Sequence, residues 1–385
     1  MSSGLQRGAI AVAGAAESDL GAVAAGLSPI DMMAQATARA LDDAGLRLDE
    51  VDGLFAAGMQ TRMPTLALAE YQGLHPRWQG GTHIGGSSFM SHLAHAQLAI
   101  AAGCCEVVVI AYGSTQRSMG RSTVAVPELN PYESPFRPVL PASAYALAAS
   151  RHMHLYGTTR EQLAEVAVAA RQWALLNPKA WEREPLTVDQ VLGSRMVSHP
   201  LTVRDCCLVT DGGGALVVTS AARARTLRKP PVFVLGFGES LSHQSISNMP
   251  DLSVTAARES GAAAYRMAGL GPKDIDVVEL YDAFTLCTLL FLEDLGFCAK
   301  GEGGAFVASG AIAPGGSLPV NTNGGGLSCV HPGMYGLFTI VEAVRQLRGE
   351  CGPRQVQDPQ IALCHGSGGR LSAQVTALLG TAATL

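Results

Sequence analysis

Three side chains in the second half of the sequence stand where they could carry acid–base chemistry: His331, Cys364 and Tyr281. His331 lies beside glycines at the predicted start of a helix, where a neutral imidazole can take up a proton or polarise a carbonyl. Cys364 ends a predicted strand before a glycine-rich turn, and a thiol near a helix N-terminus or a histidine can have a lowered pKa. Tyr281 follows the predicted strand Asp276–Leu280, where its phenol could donate to an oxyanion or move a proton.

Each of these residues also has a purely structural interpretation. The histidine could cap a helix, and the tyrosine could pack on the core at the end of its strand. The cysteine could be a small buried apolar side chain, which is the commonest fate of a free thiol. The surroundings of His331 and Cys364 favour a functional role for both, whereas for Tyr281 the two interpretations stay open.

A run of small residues, Gly85-Gly86-Ser87-Ser88, opens another predicted helix. A serine nucleophile needs an adjacent base, so we expect Ser87 and Ser88 to cap this helix instead. Gly86 is expected to leave open volume at the helix N-terminus, where its backbone N–H could form half of an oxyanion hole.

Several common catalytic signatures are missing from the sequence. The turn Gly366-Ser367-Gly368-Gly369 is not the G-x-S-x-G elbow of serine hydrolases. There is no P-loop and no H-E-x-x-H zinc motif, and Gly236-Phe237-Gly238 lacks the third glycine of a dinucleotide fingerprint. The histidines without a motif around them are predicted to be structural: His83, His92, His95, His152 and His154.

The elements that would position these residues occur twice. The apolar run Ala9–Gly14 has a counterpart in Pro231–Gly236, roughly 220 residues later. Each run leads into a helix that ends in Ala-Gly-Leu, at Ala44–Leu46 and at Ala268–Leu270. An acidic link and a strand then follow in both places. The repeat predicts two similar α/β halves, each with a parallel or mixed sheet covered by helices.

The later part of each half repeats as well. In the first half, Gly85–Ser88 opens a helix that precedes the predicted strand Glu106–Ala111. In the second half, His331–Gly333 opens a helix that precedes the predicted strand Gln360–Cys364. A pseudo-two-fold axis between the halves would bring the two helix N-termini together, where anions and oxyanions bind.

An insertion separates the two halves. We predict an N-terminal half over residues 1–113 and 206–228, a loop domain over 114–205 and a C-terminal half over 229–385. Within the insertion, Ser114–Pro141 is rich in proline, serine and arginine and is typical of an extended loop of functional length.

Composition excludes several classes of protein. Only 15% of the 385 residues are charged, against an average of about 25%, which favours a buried sheet and a large subunit interface. The net charge is −5 without a run of Lys or Arg, so nucleic-acid binding is not expected. No apolar stretch approaches the roughly 18 residues of a membrane span. Nine cysteines without a CxxC pair, and Met1–Gly8 without a secretory pattern, predict buried thiols in the cytoplasm and no metal site.

Taken together, the motifs resemble the thiolase superfamily over essentially the whole chain. The likeness is greatest to the bacterial thiolase-like branch related to sterol-carrier-protein-type thiolases, which includes steroid side-chain aldolases. Five motifs in family order carry the resemblance: Gly85-Gly86-Ser87-Ser88 with Ala96, Ile100 and Gly103; Tyr145, Tyr156-Gly157 and Asn177-Pro178; Tyr281-Asp282-Ala283-Phe284; Asn323-Gly324-Gly325-Gly326 with His331-Pro332-Gly333; and Cys364-His365-Gly366-Ser367-Gly368-Gly369. The resemblance implies duplicated βαβαβαββ halves that form a five-layered α/β/α/β/α sandwich with an inserted loop domain.

The departure from the family is informative too. Thiolases carry a nucleophilic cysteine at the start of the first-half helix, but Gly86 stands there and no cysteine precedes Cys104. The usual acyl-enzyme therefore cannot form at this position. The asparagine of the family's Asn-Glu-Ala-Phe motif is Tyr281 here. The family's catalytic histidine and second cysteine correspond to His331 and Cys364, and relatives that lack the nucleophile and act as aldolases use tyrosines.

The resemblance implies an enzyme that makes or breaks a C–C bond next to an acyl-CoA thioester, by a retro-aldol reaction without a covalent cysteine intermediate. Two alternatives are a thiolase-type acyltransferase, non-covalent or serine-based, and a silent scaffold that binds acyl-CoA. Coenzyme A would enter as part of the substrate, without a bound cofactor. By the same resemblance we expect a homodimer or dimer of dimers, with a small OB-fold, zinc-ribbon partner subunit, and the loop Ser114–Pro141 as a cover over the acyl chain.

Overall fold

The computed structural model describes residues 5–119 and 130–385, and in it a nine-stranded mixed sheet forms the frame. Its strands are β1 (Ile10–Glu17), β2 (Gly53–Ala56), β3 (Trp78–Gly80), β4 (Val107–Ser114), β7 (Gly212–Ser220), β8 (Val232–Leu241), β9 (Val277–Leu280), β10 (Ile361–Gly368) and β11 (Ala373–Gly380). Along the sheet the strand order is β3-β2-β4-β7-β1-β8-β11-β10-β9. A separate hairpin consists of β5 (Met196–Ser198) and β6 (Leu201–Thr202).

The order of the strands shows the duplication predicted from the repeat. β2, β4, β7 and β1 of the first half match β9, β10, β11 and β8 of the second half in sequence order and in pairing direction. The two half-sheets meet where Ala11 and Val12 pair with Phe233 and Val232. In the second half the counterpart of β3 is reduced to a single bridge between Val278 and Val320.

Helices cover and separate the half-sheets in the five layers that the resemblance implied. The helices are α1 (Pro29–Ala44), α2 (Pro64–Gln72), α3 (Ser88–Ala101), α4 (Ala142–Tyr156), α5 (Arg160–Leu175), α6 (Val188–Leu192), α7 (Ala221–Ala224), α8 (Ala257–Ala268), α9 (Thr285–Asp294), α10 (Gly303–Ala308) and α11 (Gly336–Leu347). Helices α3 and α11 each contact strands of both halves and so lie between them, while α1 and α8 cover the outer faces. The remaining helices are shorter or belong to the insertion.

The repeated glycines let each outer helix approach its strand closely. A Cβ on Gly14 would overlap the carbonyl of Ala40 in α1 and lie 2.9 Å from Cβ of Ala44. A Cβ on Gly236 would overlap the carbonyl of Ala264 in α8 in the same way. Any larger residue would force strand and helix apart, so the two glycines hold the same packing in both halves.

The insertion packs on the second half through its helices and its loops. The amide of Asn177 donates to the carbonyl of Asn323 (2.9 Å), and Nε of Arg171 donates to Oγ of Ser328 (3.0 Å). The predicted cover Ser114–Pro141 includes residues 120–129, which lie outside the described residues. The division of the chain into three domains stays a prediction.

In the described part of the chain, no helix is both long and apolar enough to cross a membrane. The same residues contain no group of three or more His, Cys, Asp or Glu side chains that could hold a metal ion.

Candidate active site

The position of the absent nucleophile is filled by the ring of Tyr281. A Cβ on Gly86 would lie 2.5 Å from Cδ2 of Tyr281, overlap Cε2, and come within 2.9 Å of the carbonyl oxygen of Ser367. The expectation of open volume at Gly86 was therefore wrong. The space that a side chain on Gly86 would need is taken by a side chain from the other half, so Gly86 and Tyr281 form a small–large pair.

His331 carries the one polar nitrogen near this ring that has no hydrogen-bond partner. Its Nε2 is buried and unpartnered, while its backbone N–H donates to Oγ1 of Thr210 (3.0 Å). Burial lowers the pKa of the imidazole to about 4, opposed by the residue's own backbone carbonyl. His331 is therefore neutral at physiological pH, and Nε2 is available to accept a proton or a hydrogen bond.

The helix after His331 begins later than the sequence predicted. α11 starts at Gly336, and His331 lies in the preceding loop, where Gly333 has a φ of +100°. A left-handed residue interrupts a right-handed helix, so the histidine does not cap α11. The loop is held by Tyr112, whose hydroxyl donates to the carbonyl of Pro332 and accepts from the N–H of Met334 (3.0 Å).

Tyr281 lies immediately after β9, as predicted, and its ring contacts His331 edge to face with the ring centroids 5.5 Å apart. Its hydroxyl donates to the carbonyl oxygen of Gly333 (3.2 Å). Burial raises the pKa of the phenol well above its usual value. The side chain thus places a neutral hydrogen-bond donor beside the neutral imidazole.

Asp282 is a buried acid of the site that the sequence analysis did not single out. Its Oδ1 accepts from the N–H of Gly326 (2.6 Å) and its Oδ2 from that of Leu327 (3.3 Å), at the start of a π-helical turn, Gly325–Cys329. Burial raises the pKa of the carboxyl to about 7, against the lowering effect of these N–H groups. Its place beside Tyr281, directly after a buried strand, is the signal that could have identified it.

Asp282 also lies next to the imidazole. A Cβ on Gly326 would come within 3.0 Å of both Oδ1 of Asp282 and Cδ2 of His331. Behind them, Tyr335 stacks on His331 with centroids 6.3 Å apart and donates to Oδ1 of Asn323 (2.8 Å). The Asn323–His331 segment therefore wraps the acid and the histidine together.

Cys364 does not meet the sequence-based expectations. It lies in the middle of β10, which continues to Gly368, and its thiol is fully buried against the carbonyl of Thr339 in α11 (3.6 Å). Burial, and next Glu279, raises the pKa of the thiol well above its usual value. Cys364 thus stays a neutral thiol, and the lowered pKa expected from a nearby helix N-terminus was wrong.

The two serines do not cap α3. Ser87 donates to the carbonyl of Ala373 (2.8 Å), and Ser88 accepts from the N–H of Ile84 (3.2 Å) while donating to the carbonyl of Thr82 (3.3 Å). A 3₁₀ turn, Gly85–Ser87, leads directly into α3, so neither serine adopts the extended geometry of an N-cap. Neither hydroxyl has a histidine or carboxylate partner that would activate it.

Comparisons with known proteins agree with this architecture. A family model described as "Thiolase C-terminal domain-like" matches residues 238–381. A 17-hydroxy-3-oxo-4-pregnene-20-carboxyl-CoA lyase of Mycobacterium tuberculosis is 36% identical, with 84% of this chain and 88% of that one aligned. An acetyl-CoA acetyltransferase of Methanothermobacter thermautotrophicus is 34% identical over 88% of this chain and 91% of the other.

Among solved structures, the "Ltp2-ChsH2(DUF35) aldolase" matches with a TM-score of 0.88 and 33% identity, covering 97% of this chain and 98% of that one. The named relatives include lyases, aldolases and acyltransferases, all of them enzymes. With the duplicated five-layered fold and the sequence identity over most of its length, the chain belongs to the thiolase superfamily, in its thiolase-like branch.

Proposed function

We propose that this protein is an acyl-CoA lyase that breaks the Cα–Cβ bond of a β-hydroxyacyl-CoA by a retro-aldol reaction, without a covalent acyl-enzyme. The proposal rests on one observation: the ring of Tyr281 occupies the space that a side chain at position 86 would need. A thiolase-type transfer needs a nucleophile there, whereas a retro-aldol reaction needs a proton acceptor and hydrogen-bond donors. His331 and Tyr281 supply one of each.

The bond changes follow from these two groups. Nε2 of His331 accepts the proton of the β-hydroxyl while the Cα–Cβ bond breaks, and the electron pair of that bond moves into the thioester as an enolate. Backbone N–H groups at the start of α3 would stabilise the enolate oxygen. Tyr281 then protonates Cα and recovers a proton from His331. The products are a carbonyl compound and a shorter acyl-CoA; Cα carries the proton from Tyr281, and the proton of the hydroxyl replaces it on Tyr281.

The substrate would bring coenzyme A with it, and relatives named as acting on CoA thioesters support that substrate class. The acyltransferase alternative lacks an activated serine, because Ser87 donates to a backbone carbonyl. The scaffold alternative leaves the buried, unpartnered Nε2 of His331 without a purpose, and such an atom costs roughly 1–3 kcal/mol when nothing binds to it.

The test is a panel of acyl-CoA and β-hydroxyacyl-CoA thioesters, followed by intact-protein mass spectrometry and by chromatography of the products. We expect a carbonyl product and a shorter acyl-CoA in equal amounts, with the mass of the protein unchanged. A stable acyl adduct on a serine or cysteine would favour transfer and contradict the lyase proposal. Binding of CoA thioesters without turnover, unchanged by His331→Ala, would favour the scaffold.

We also propose two kinds of protein partner. The edge strand β3 exposes Trp78 and has one free edge, which suits pairing with a second copy of the chain. The inserted region exposes Tyr132 and Phe136 on a turn that Glu133 anchors to Arg370 (3.2 Å), and the similar aldolase structure is named together with a DUF35 component. These features support a homodimer and a small OB-fold, zinc-ribbon subunit. Light scattering of the chain alone and of its mixture with such a subunit tests both.

A further inference from the structure

Three ring side chains around the candidate site are buried without being sealed. Tyr145, Tyr281 and His331 keep 5%, 6% and 7% of their surface accessible. Asp282 and Tyr335, which lie behind them, keep none. Phe284 keeps 4% but is apolar, so Tyr145 is the partly accessible polar ring without a role in the reaction described above.

Tyr145 lies in α4 of the inserted region and packs against the segment after β9 that also contains Tyr281. Its ring stacks on Phe284, three residues after Tyr281, with the centroids 4.2 Å apart and the planes inclined by 27°. The contact with Phe284 on one face fixes the orientation of the Tyr145 ring. The inserted region thus brings one phenol to a site whose other ring side chains, Tyr281 and His331, come from the C-terminal half.

The Tyr145 hydroxyl lies beside the turn at Gly368 and Gly369, which packs next to Gly86, the residue at the nucleophile position. Its oxygen lies 3.4 Å from the carbonyl oxygen of Gly369. A Cβ on Gly85 would lie 2.7 Å from Cα of Gly368 and 3.1 Å from N of Gly369, so this turn packs directly on the residue before Gly86. The hydroxyl therefore lies at the turn that packs beside the nucleophile position, Gly86, which the Tyr281 ring fills.

The hydroxyl is suited to donate a hydrogen bond. A separation of 3.4 Å is longer than the usual range for O–H···O bonds, so little is lost when the proton turns to another acceptor. Burial, together with the Cys287 and Cys207 thiols nearby, raises the pKa of the Tyr145 phenol well above its usual value. The phenol is therefore protonated at physiological pH, where the imidazole of His331 is neutral.

We propose that the Tyr145 hydroxyl is a catalytic hydrogen-bond donor to the thioester oxygen, supplied by the inserted loop domain. This inference rests on the proposed lyase function. As the Cα–Cβ bond breaks, negative charge develops on that oxygen, and a neutral donor in a water-poor site stabilises it most in the transition state. Tyr145 would then act on the oxygen while His331 and Tyr281 move the proton.

The first test is Tyr145→Phe, which keeps the stack on Phe284 and removes only the hydroxyl. We expect kcat for β-hydroxyacyl-CoA cleavage to fall by about 10²-fold with KM changed far less, the usual loss for one oxyanion donor. The matched control is Tyr265→Phe, whose hydroxyl also donates to a backbone carbonyl, that of Leu295 (3.1 Å), outside the site. If kcat of Tyr145→Phe stays within about three-fold of the wild type and of this control, the proposal is overturned.

A binding experiment separates this inference from the lyase proposal. Calorimetry compares propionyl-CoA with S-propyl-CoA, which lacks the carbonyl oxygen. We expect the wild type to bind the thioester more tightly than the thioether. In Tyr145→Phe the ratio of the two dissociation constants should shrink by about five-fold, the value of one net hydrogen bond. An unchanged preference contradicts the role of Tyr145. A wild type that binds both compounds but cleaves no substrate contradicts the lyase function instead, and the binding arm alone then decides the role of Tyr145.

Discussion

The start of α3 in the first half and the approach to α11 in the second half hold equivalent places, and they touch. A Cβ on Gly336 would overlap the carbonyl oxygen of Gly86. Yet the polar side chains at the start of α3, Ser87 and Ser88, are satisfied by backbone groups, whereas His331 keeps an unpartnered nitrogen. Nδ1 of His92, within α3, is also unpartnered, but the side chains of the proposed proton transfer, His331 and Tyr281, both come from the second half.

The equivalent strands β2 and β9 of the two halves also differ in polarity. Phe55 in β2 and Glu279 in β9 stand at equivalent positions, opposite Ile110 of β4 and Cys364 of β10. The first half carries an apolar side chain at this position, and the second a buried acid two residues before Tyr281. At these equivalent positions only the second half buries a group whose charged form costs free energy.

The largest effect is expected from restoring a nucleophile to the first half. Gly86→Cys places a side chain where the Tyr281 ring lies, so we expect a loss of roughly 3 kcal/mol or more in unfolding free energy, measured by urea denaturation. The double variant Gly86→Cys/Tyr281→Asn removes the ring and is expected to recover most of that loss. If Gly86→Cys alone is as stable as the wild type, the small–large pairing is wrong.

Removing the unsatisfied group of the second half should abolish most activity. For His331→Ala we expect kcat/KM to fall by about 10²–10⁴-fold, the usual contribution of a general base. The buried ring packs on Tyr281 and Tyr335, so its removal leaves a cavity and lowers the thermal midpoint, and the rates are compared at a temperature where the variant is folded. His154→Ala, an exposed histidine near the end of α4, is the matched control. Equal rates in the two variants would remove His331 from the mechanism.

The pH dependence of kcat/KM tests whether His331 is buried. The base is active when neutral, and burial holds the pKa of His331 at about 4, so protonation of His331 should lower kcat/KM only near pH 4. An unperturbed histidine would lose activity near 6.5. Burial raises the pKa of Asp282 to about 7, in the same range, so the profile is measured between pH 3.5 and 8 for the wild type and for Asp282→Asn, with a stability check at each pH. An acid limb near 6.5 that persists in Asp282→Asn would show that His331 is not buried in the active protein.

The smallest effect concerns Glu279. Burial, followed by the neighbouring carboxylate of Glu342, raises the pKa of Glu279 well above its usual value, so it is a neutral acid that accepts from Thr322 (2.8 Å). Glu279→Gln is a neutral isostere, and we expect its unfolding free energy at pH 5 to stay within about 1 kcal/mol of the wild type.

Glu279 also makes the free energy of unfolding depend on pH. A raised folded pKa means that the contribution of Glu279 is fully present below the unfolded pKa, about 4.3, and declines as the pH rises toward the folded value. The variant lacks this decline, so it should gain on the wild type in urea denaturation between pH 5 and pH 8. A constant difference would mean that Glu279 ionises normally in the folded protein.

Much of this molecule could be predicted from local sequence. The two helices that end in Ala-Gly-Leu, at Gly45 and Gly269, and the strand before Tyr281 appear in the structure as the sequence predicted. Both glycines adopt a left-handed conformation that closes the helix, so these features depend on contacts within a few residues or on an apolar pattern. The five-layered fold and the equivalence of the halves followed from the repeat together with the family motifs.

The state of the site was decided by contacts between residues far apart in the chain. Sequence showed that Gly86 has no side chain, but only the packing of the halves placed the Tyr281 ring there, nearly two hundred positions away. The same holds for the thiol of Cys364, which burial keeps neutral, and for Nε2 of His331, which no neighbour reaches. Residue types determine which chemistry is possible, whereas burial and partners, which are properties of the tertiary structure, decide which groups are charged, satisfied or free to react.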